Sequence, residues 1–409
     1  MEAFSYFGDN LWPPDLNADG LYYTVYGWSR VYSGEIVYNI YGLIGKVITL
    51  FWKPVDGIYL IYRYLNVCLF LITLIVLFFV RCRWLDPASI GLTFILLPQV
   101  HYLYAYASCD PWSLSMSVFL FLYIAKLVDA PICSLTLDKY MVIGIFTGLI
   151  IVSKPYYLCS LFIPLSLFSI RLVEEIKCGS VLPVKKLIIN LTVTALTMII
   201  VAGPLRLIYP ATQGDFVAGI KHMMESRAAD EYKPSHPTFE GYLLASKGET
   251  YHSMLKKFPW ISLTLKSFYG IFGHMQFHNP PWIYWSAGIG FSILLCLTIK
   301  TAISNWSRLD GTWRYCFILA LISLGANIFI SLYMSLHFDY QPQGRYLFPS
   351  LIAVSILLNG LFNLEKRAVA YIRIICIILL YVICLYSLLY VAGNINPRLL
   401  PRIEVMLKS

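Results

Sequence analysis

From residue 58 onward the chain alternates between long apolar runs and short polar breaks. A helix needs roughly 20 apolar residues to cross a bilayer. Applied loosely, that length fits runs at 58–80, 86–107, 112–128, 140–153, 155–173, 187–208, 282–299, 315–337, 346–363 and 370–392. The fourth and fifth are short and meet at Ser153-Lys154-Pro155, which predicts two partial helices of the kind tolerated where backbone lines a cavity. Residues 1–57 hold no spanning run and no basic start followed by an apolar core, so no signal peptide is expected. Within them, an amphipathic stretch from Val37 to Trp52, interrupted by Lys46, predicts a helix lying in the interface.

The pattern predicts an all-α integral membrane protein with about ten transmembrane helices. Residues 1–57 read as an extracytoplasmic acidic and amphipathic segment and 58–208 as the first six spans. Residues 209–281 form a long extracytoplasmic loop, 282–392 the last four spans and 393–409 a short extracytoplasmic tail. No internal repeat is visible.

Composition agrees, since 58% of the 409 residues are hydrophobic and only 13% charged. The formal charge of +9 is spread over short loops instead of a basic arm, so it reports topology and anionic lipid, not nucleic acid. Arg81 and Arg83, Lys177 with Lys185 and Lys186, Lys300 with Arg308 and Arg314, and Lys366 with Arg367 fall on one side, which the positive-inside rule makes the cytoplasm. Ser108-Cys109-Asp110-Pro111, Lys154, the long loop and Arg345 then share the opposite face. The cysteines show no metal-ligand spacing and read as free thiols.

That face supplies the candidate chemistry. In Asp339-Tyr340-Gln341-Pro342-Gln343-Gly344-Arg345-Tyr346-Leu347-Phe348-Pro349, Gly344 permits a close turn and Gln343 offers amide groups. Arg345 presents a fork suited to phosphate oxygens, or snorkels to headgroups. Asp110, Asp15 and Asp19 are carboxylates able to serve as a general base, or equally a helix cap and an ordinary Asp-rich turn. Lys154, beside a proline at membrane depth, is functional or snorkels. In the long loop, the histidines and carboxylates lack a spacing such as His-Glu-x-x-His, so no metal site is expected. A few amphipathic helices forming a lid are expected there, with Ser267 to Gly273 as aromatic packing.

In order, Arg63-Tyr64-Leu65-Asn66, Leu97-Pro98-Gln99, Ala107-Ser108-Cys109-Asp110, Ser153-Lys154-Pro155-Tyr156-Tyr157-Leu158, Phe268-Tyr269-Gly270-Ile271-Phe272-Gly273 and Gln343 to Pro349 carry a resemblance. From about residue 37 onward the chain resembles bacterial polytopic membrane proteins related to the GT-C superfamily of glycosyltransferases. The resemblance implies transfer of a sugar from a polyprenyl-phosphate donor to a polysaccharide or glycolipid acceptor on the outer side of the bacterial inner membrane. A carboxylate of the first extracytoplasmic loop would be the base, a place held by Asp15 or Asp19, with Asp110 orienting Lys154 or the sugar. Arg345, Lys154 and Gln343 would meet the donor phosphate, and Tyr346, Arg63 and Tyr269 would line the substrate.

No cofactor is required, with a divalent cation (Mg or Mn) left open. Two departures stand out. Leu16 follows Pro13-Pro14-Asp15 where relatives carry Glu, and the helix that normally precedes this loop is absent from the sequence. A fragment with a late start, a translocated tail, or a spanning Ile36–Trp52 that moves Asp15 and Asp19 to the cytoplasm each accounts for the second. The rival readings are a lipid-linked glycan flippase and a noncatalytic polysaccharide-assembly subunit. A flippase predicts ionisable residues near mid-membrane, often in inverted repeats.

Overall fold

The apolar runs fold as helices. The structure, a computed structural model, describes residues 6, 9–10, 13–16, 27–52, 59–177, 184–236, 244–273, 275–361 and 367–408. In chain order the helices are α1 (Ile36–Phe51), α2 (Tyr59–Phe79), α3 (Pro87–Leu96), α4 (Pro98–Ala105), α5 (Asp110–Leu127), α6 (Leu137–Ile151) and α7 (Phe162–Lys177, entered by a 3-10 turn at Pro155–Leu161). Next come α8 (Val184–Gly203, prolonged by Pro204–Ile208 and Tyr209–Thr212), α9 (Phe216–Arg227), α10 (Tyr251–Lys257) and α11 (Trp260–Gly270). A two-residue hairpin, β1 (Ile271–Phe272) and β2 (Phe277–His278), pairs antiparallel with Phe272 opposite Phe277. The chain ends in α12 (Pro281–Asn305), α13 (Gly311–His337), a 3-10 turn at Gly344–Ser350, α14 (Leu351–Asn359) and α15 (Arg367–Lys408).

Among the described residues, six helices are long and apolar enough to cross a membrane: Leu60–Phe79, Pro155–Lys177, Lys185–Thr212, Pro281–Arg308, Gly311–His337 and Arg367–Asn394. The pair α3 and α4 makes a seventh if it is one span, bent by 82°. The bend falls inside the run expected at 86–107, and its cause is local. Pro98 has no N–H to donate and pushes Leu97 out of the helical region, to φ −105 and ψ 105. The broken helix expected near Lys154 is instead a short α6 of 15 residues followed by a span of 23. The first expected tail residues, from 393, continue α15 without a break, and the sixth run extends to Thr212.

The chain divides into two compact units. The first comprises Met1–Val76, Tyr104–Met254 and Leu332–Tyr340. Its centre is α5, buried along nearly its whole length and packed by α6 and α7. Because protein surrounds it, α5 can carry serines: Ser115 bonds Thr73 of α2 and Tyr104 at 2.8 Å each, and Ser117 bonds Ser160 at 2.6 Å. Such hydroxyl contacts hold helices together where lipid offers no hydrophobic contrast. Helix α6 packs closely on α8. A Cβ on Gly144 would collide with Thr197 and the Thr194 carbonyl, and one on Gly148 would stand 2.8 Å from Val201 Cβ. Gly144 and Gly148 are thus a small-xxx-small stripe that lets two backbones touch.

The second unit comprises Leu77–Leu103, Leu255–Ser331 and Gln341–Ser409. Here α14 packs on α3 and α12, and α15 packs on α12. Arg373 of α15 is fully buried and donates to the Leu358 carbonyl, to Asn359 Oδ1 at 3.4 Å and to Thr298 Oγ1 at 3.0 Å. A cation on the last carbonyls of α14 complements that helix's negative end. At the other end of α14, Gly344 lies against the backbone of Phe268 so closely that any Cβ would overlap it.

Candidate functional site

In the first unit four chain segments bring ionisable groups together. The segment before α1 is shaped by Gly34, whose left-handed backbone (φ 61) redirects the chain so that Glu35 stands at the N-cap position of α1 with its side chain free of the helix end. Ile36 N then donates to Val152 O at 3.1 Å, which ties this corner to the end of α6. The corner before α5 is fixed from α2. Arg63 Nε donates to Ala105 O at 2.6 Å, and Asn66 Nδ2 donates to Tyr106 O at 2.7 Å and Ser108 O at 3.3 Å. Tyr41 in turn donates to Asn66 Oδ1 at 2.7 Å.

The two corners meet at Cys109 and Asp110. The Cys109 thiol donates to Glu35 Oε2 at 2.6 Å, with the Tyr38 hydroxyl 3.8 Å away. Lys154 Nζ donates to Asp110 Oδ2 at 2.9 Å, and the Tyr156 hydroxyl donates to Asp110 Oδ1. Asp110 is 1% exposed, Glu35 4% and Lys154 9%, so this is a buried ion cluster, not a surface pair. Arg206, in the extension of α8, closes it by donating to the carbonyls of Ile151 at 3.0 Å, Ser33 at 3.2 Å and Ser153.

Burial shapes the electrostatics. It would pull the Lys154 ammonium down, but the Asp110 carboxylate, helped by Glu35, more than offsets this and holds it above the usual lysine range. Burial likewise pushes the Cys109 thiol well up; Lys154 opposes the shift and the carboxylates of Glu35 and Asp110 add to it. The lysine therefore stays charged and the thiol stays protonated at neutral pH. Beside the cluster, the buried Ser108 Oγ, Trp112 Nε1 and Tyr157 Oη have no hydrogen-bond partner among the described residues. Such groups are places where a hydroxyl-bearing guest gains hydrogen bonds.

Asp15 sits elsewhere in the same unit, exposed, on a turn clasped by the segment after α8. Gln213 reaches it twice, donating Nε2 to Asp15 Oδ1 at 3.2 Å and accepting from Leu16 N at 3.0 Å. Tyr209 donates to Pro14 O at 3.1 Å and Arg227 to Leu16 O at 3.2 Å, while Leu16 is buried with Tyr209, Tyr32 and Met223. Leucine at 16 is thus the anchor of the turn. Asp19 lies outside the described residues.

The other expected site residues divide by unit. Arg63 belongs to the first and is engaged on Ala105. Gln343, Arg345, Tyr346 and Tyr269 belong to the second. There the Arg345 guanidinium lies 5.3 Å from the Tyr346 ring centroid, the Tyr346 hydroxyl donates to Gln341, and Gln343 O accepts from Tyr346 N at 3.1 Å. Tyr269 is buried edge-on to Tyr284 and Phe291, the geometry of aromatic packing. Sequence reasoning missed Glu35, Tyr156 and Arg206. An arginine inside an apolar run, as Arg206 is, was the available signal.

Among the described residues, no group of three or more His, Cys, Asp or Glu side chains is placed to hold a metal ion. No family model, no curated protein and no solved structure matches this chain.

Proposed function

We propose that the chain is a GT-C-like membrane glycosyltransferase. It moves a sugar from a polyprenyl-phosphate donor to a hydroxyl of a cell-surface polysaccharide or lipid-linked glycan, at the extracytoplasmic face of a bacterial inner membrane. In this reading all ten apolar runs belong to the membrane domain, and the basic loops face the cytoplasm. The observation that carries the proposal is the buried Glu35, Cys109, Asp110, Lys154 and Arg206 cluster. Burying charge near a bilayer is costly, a buried ion pair is a weak source of stability, and ionisable residues at such depth point to function.

The roles follow from exposure. Asp15 reaches solvent and takes the proton of the acceptor hydroxyl. The acceptor oxygen then bonds to the anomeric carbon as the bond from that carbon to the polyprenyl phosphate oxygen breaks, and the phosphate leaves with the electron pair. Asp110, too buried to meet a soluble acceptor, is a positioning residue. It keeps Lys154 charged and oriented, and an ammonium has two further N–H groups with which to meet developing phosphate charge. Arg345 and Gln343 keep a phosphate-binding assignment on their chemistry alone.

The test is transfer of labelled sugar from polyprenyl-phosphate donors by purified protein, native against Asp15→Asn, Asp110→Asn and Arg345→Ala, each checked for folding. Native turnover with Asp15→Asn slowed by about 10²–10⁴ at unchanged donor binding supports the reading. No turnover of any donor by native protein, together with passage of a lipid-linked glycan across vesicle membranes, replaces the enzyme with a transporter.

A further inference from the structure

A cavity of about 560 Å³ lies wholly within the second unit, a size typical of small-ligand sites. The connections α2 to α3 and α12 to α13 and the residues after α14 line it, and it opens to the outside. Among the described residues, Arg81, Arg83 and Arg308 line it together with two carboxylates, Asp86 and Asp310. Both carboxylates are engaged at helix starts: Asp86 Oδ1 accepts from Ala88 N at 3.2 Å and Asp310 Oδ1 from Thr312 N at 2.8 Å. Three guanidinium groups against two carboxylates leave the described lining with an excess of one positive charge. Trp84 and Trp313 complete it, and Trp313 is pinned by its Nε1–H on Gly360 O at 3.3 Å.

The depth of this cavity limits what can enter. One apolar span ends at Phe79, another at Arg308, and a third begins at Gly311. The cavity thus sits where three spans leave the hydrocarbon, the level at which tryptophan belts and lipid headgroups lie. We propose that it binds the phosphate group of an anionic phospholipid. The guanidinium forks would take the phosphate oxygens and the indole rings would flank the headgroup. Basic pockets between membrane helices on the cytoplasmic side commonly hold such lipids. A free phosphorylated solute shares the phosphate chemistry but has no acyl chains to place at this depth.

The test uses delipidated full-length protein in detergent, with binding read by native mass spectrometry. Phosphatidylglycerol, phosphatidylcholine and inorganic phosphate are the probes. The native chain is expected to retain phosphatidylglycerol in preference to phosphatidylcholine. Arg81→Gln with Arg308→Gln should weaken that binding at least about tenfold, while Lys300→Gln, outside the lining, leaves it unchanged. Where the double variant does not fold, Arg308→Lys keeps the charge but loses the fork, and severalfold weaker binding is expected. Undiminished phosphatidylglycerol binding by the arginine variants overturns the site. Displacement of the lipid by inorganic phosphate at equal concentration overturns the lipid as its ligand.

Discussion

Removing the ammonium of Lys154 is the sharpest test of the buried cluster. In Lys154→Met the side chain keeps most of its apolar length, so packing changes little and the loss is electrostatic. Asp110 would be left 1% exposed without its ammonium partner, while the Tyr156 hydroxyl still donates to it. Stranding one member of a buried pair costs about 3–5 kcal/mol, because the surviving charge stays desolvated. Neutralising the survivor relieves that cost. Asp110→Asn with Lys154→Met should therefore be less destabilised than the sum of the single variants by about 1–3 kcal/mol, while Asn still offers an oxygen to Tyr156.

The control is Lys46 with Asp9, a shorter ion pair at 2.6 Å but 53% and 69% exposed, where water compensates either loss. Lys46→Met should be nearly silent. Denaturant unfolding in mixed lipid-detergent micelles measures all four variants. A cost below about 1 kcal/mol for Lys154→Met, the scale of an exposed pair, would refute the reasoning, and so would strict additivity in the double variant.

Other outcomes follow from single contacts. Gly344→Ala forces a methyl into the Phe268 backbone and should destabilise the second unit by about 1–3 kcal/mol, read as a lower thermal midpoint; an unchanged midpoint contradicts the contact. Arg373→Met removes the charged donor shared by the buried Leu358 carbonyl, Asn359 Oδ1 and Thr298 hydroxyl, leaving the Thr298 Oγ1 to Leu358 O bond at 2.7 Å in place, and should cost about 1–3 kcal/mol in the same assay, against no cost if the guanidinium is incidental. In the loop, Ser235 donates its N–H at 2.9 Å and its hydroxyl to Glu225, which holds that carboxyl below its ordinary range, with Lys233 and Lys221 assisting. A depressed carboxyl stabilises the loop fully above the ordinary Glu value of about 4.3 and loses that contribution as the pH falls through the lowered value. Amide exchange at Ser235 should accelerate there in the native chain and be fast throughout in Glu225→Gln. A flat native profile would remove the clamp.

The helices were legible because an apolar run of sufficient length has few alternatives near a bilayer. Their interruptions were less so. Pro98 was in plain view, but the run continues unchanged past it, so hydropathy averages over the bend that backbone chemistry imposes. Asp110 and Lys154 stood out as costly residues in apolar surroundings, and they form one ion pair. Glu35 did not, since a carboxylate just before an apolar run looks like any helix cap; only the folded Gly34 corner carries it to Cys109. The Gly144 and Gly148 stripe was equally silent, because small residues announce close packing only when the opposing helix is known.

Arg373 has a consequence for how the last helix is held. The window of α15 that suits a membrane has a mean hydropathy of 2.8, so greasiness alone would keep this helix in lipid at any rotation about its axis. The guanidinium removes that freedom. Slipping the helix by one residue turns it by about 100° and would carry the charge from the α14 carbonyls toward acyl chains, at a cost bounded above by the ~2.5–3.5 kcal/mol of an arginine at a helix centre. One arginine thus acts as a key in a slot. It selects a single azimuth for a helix whose apolar surface would otherwise accept many.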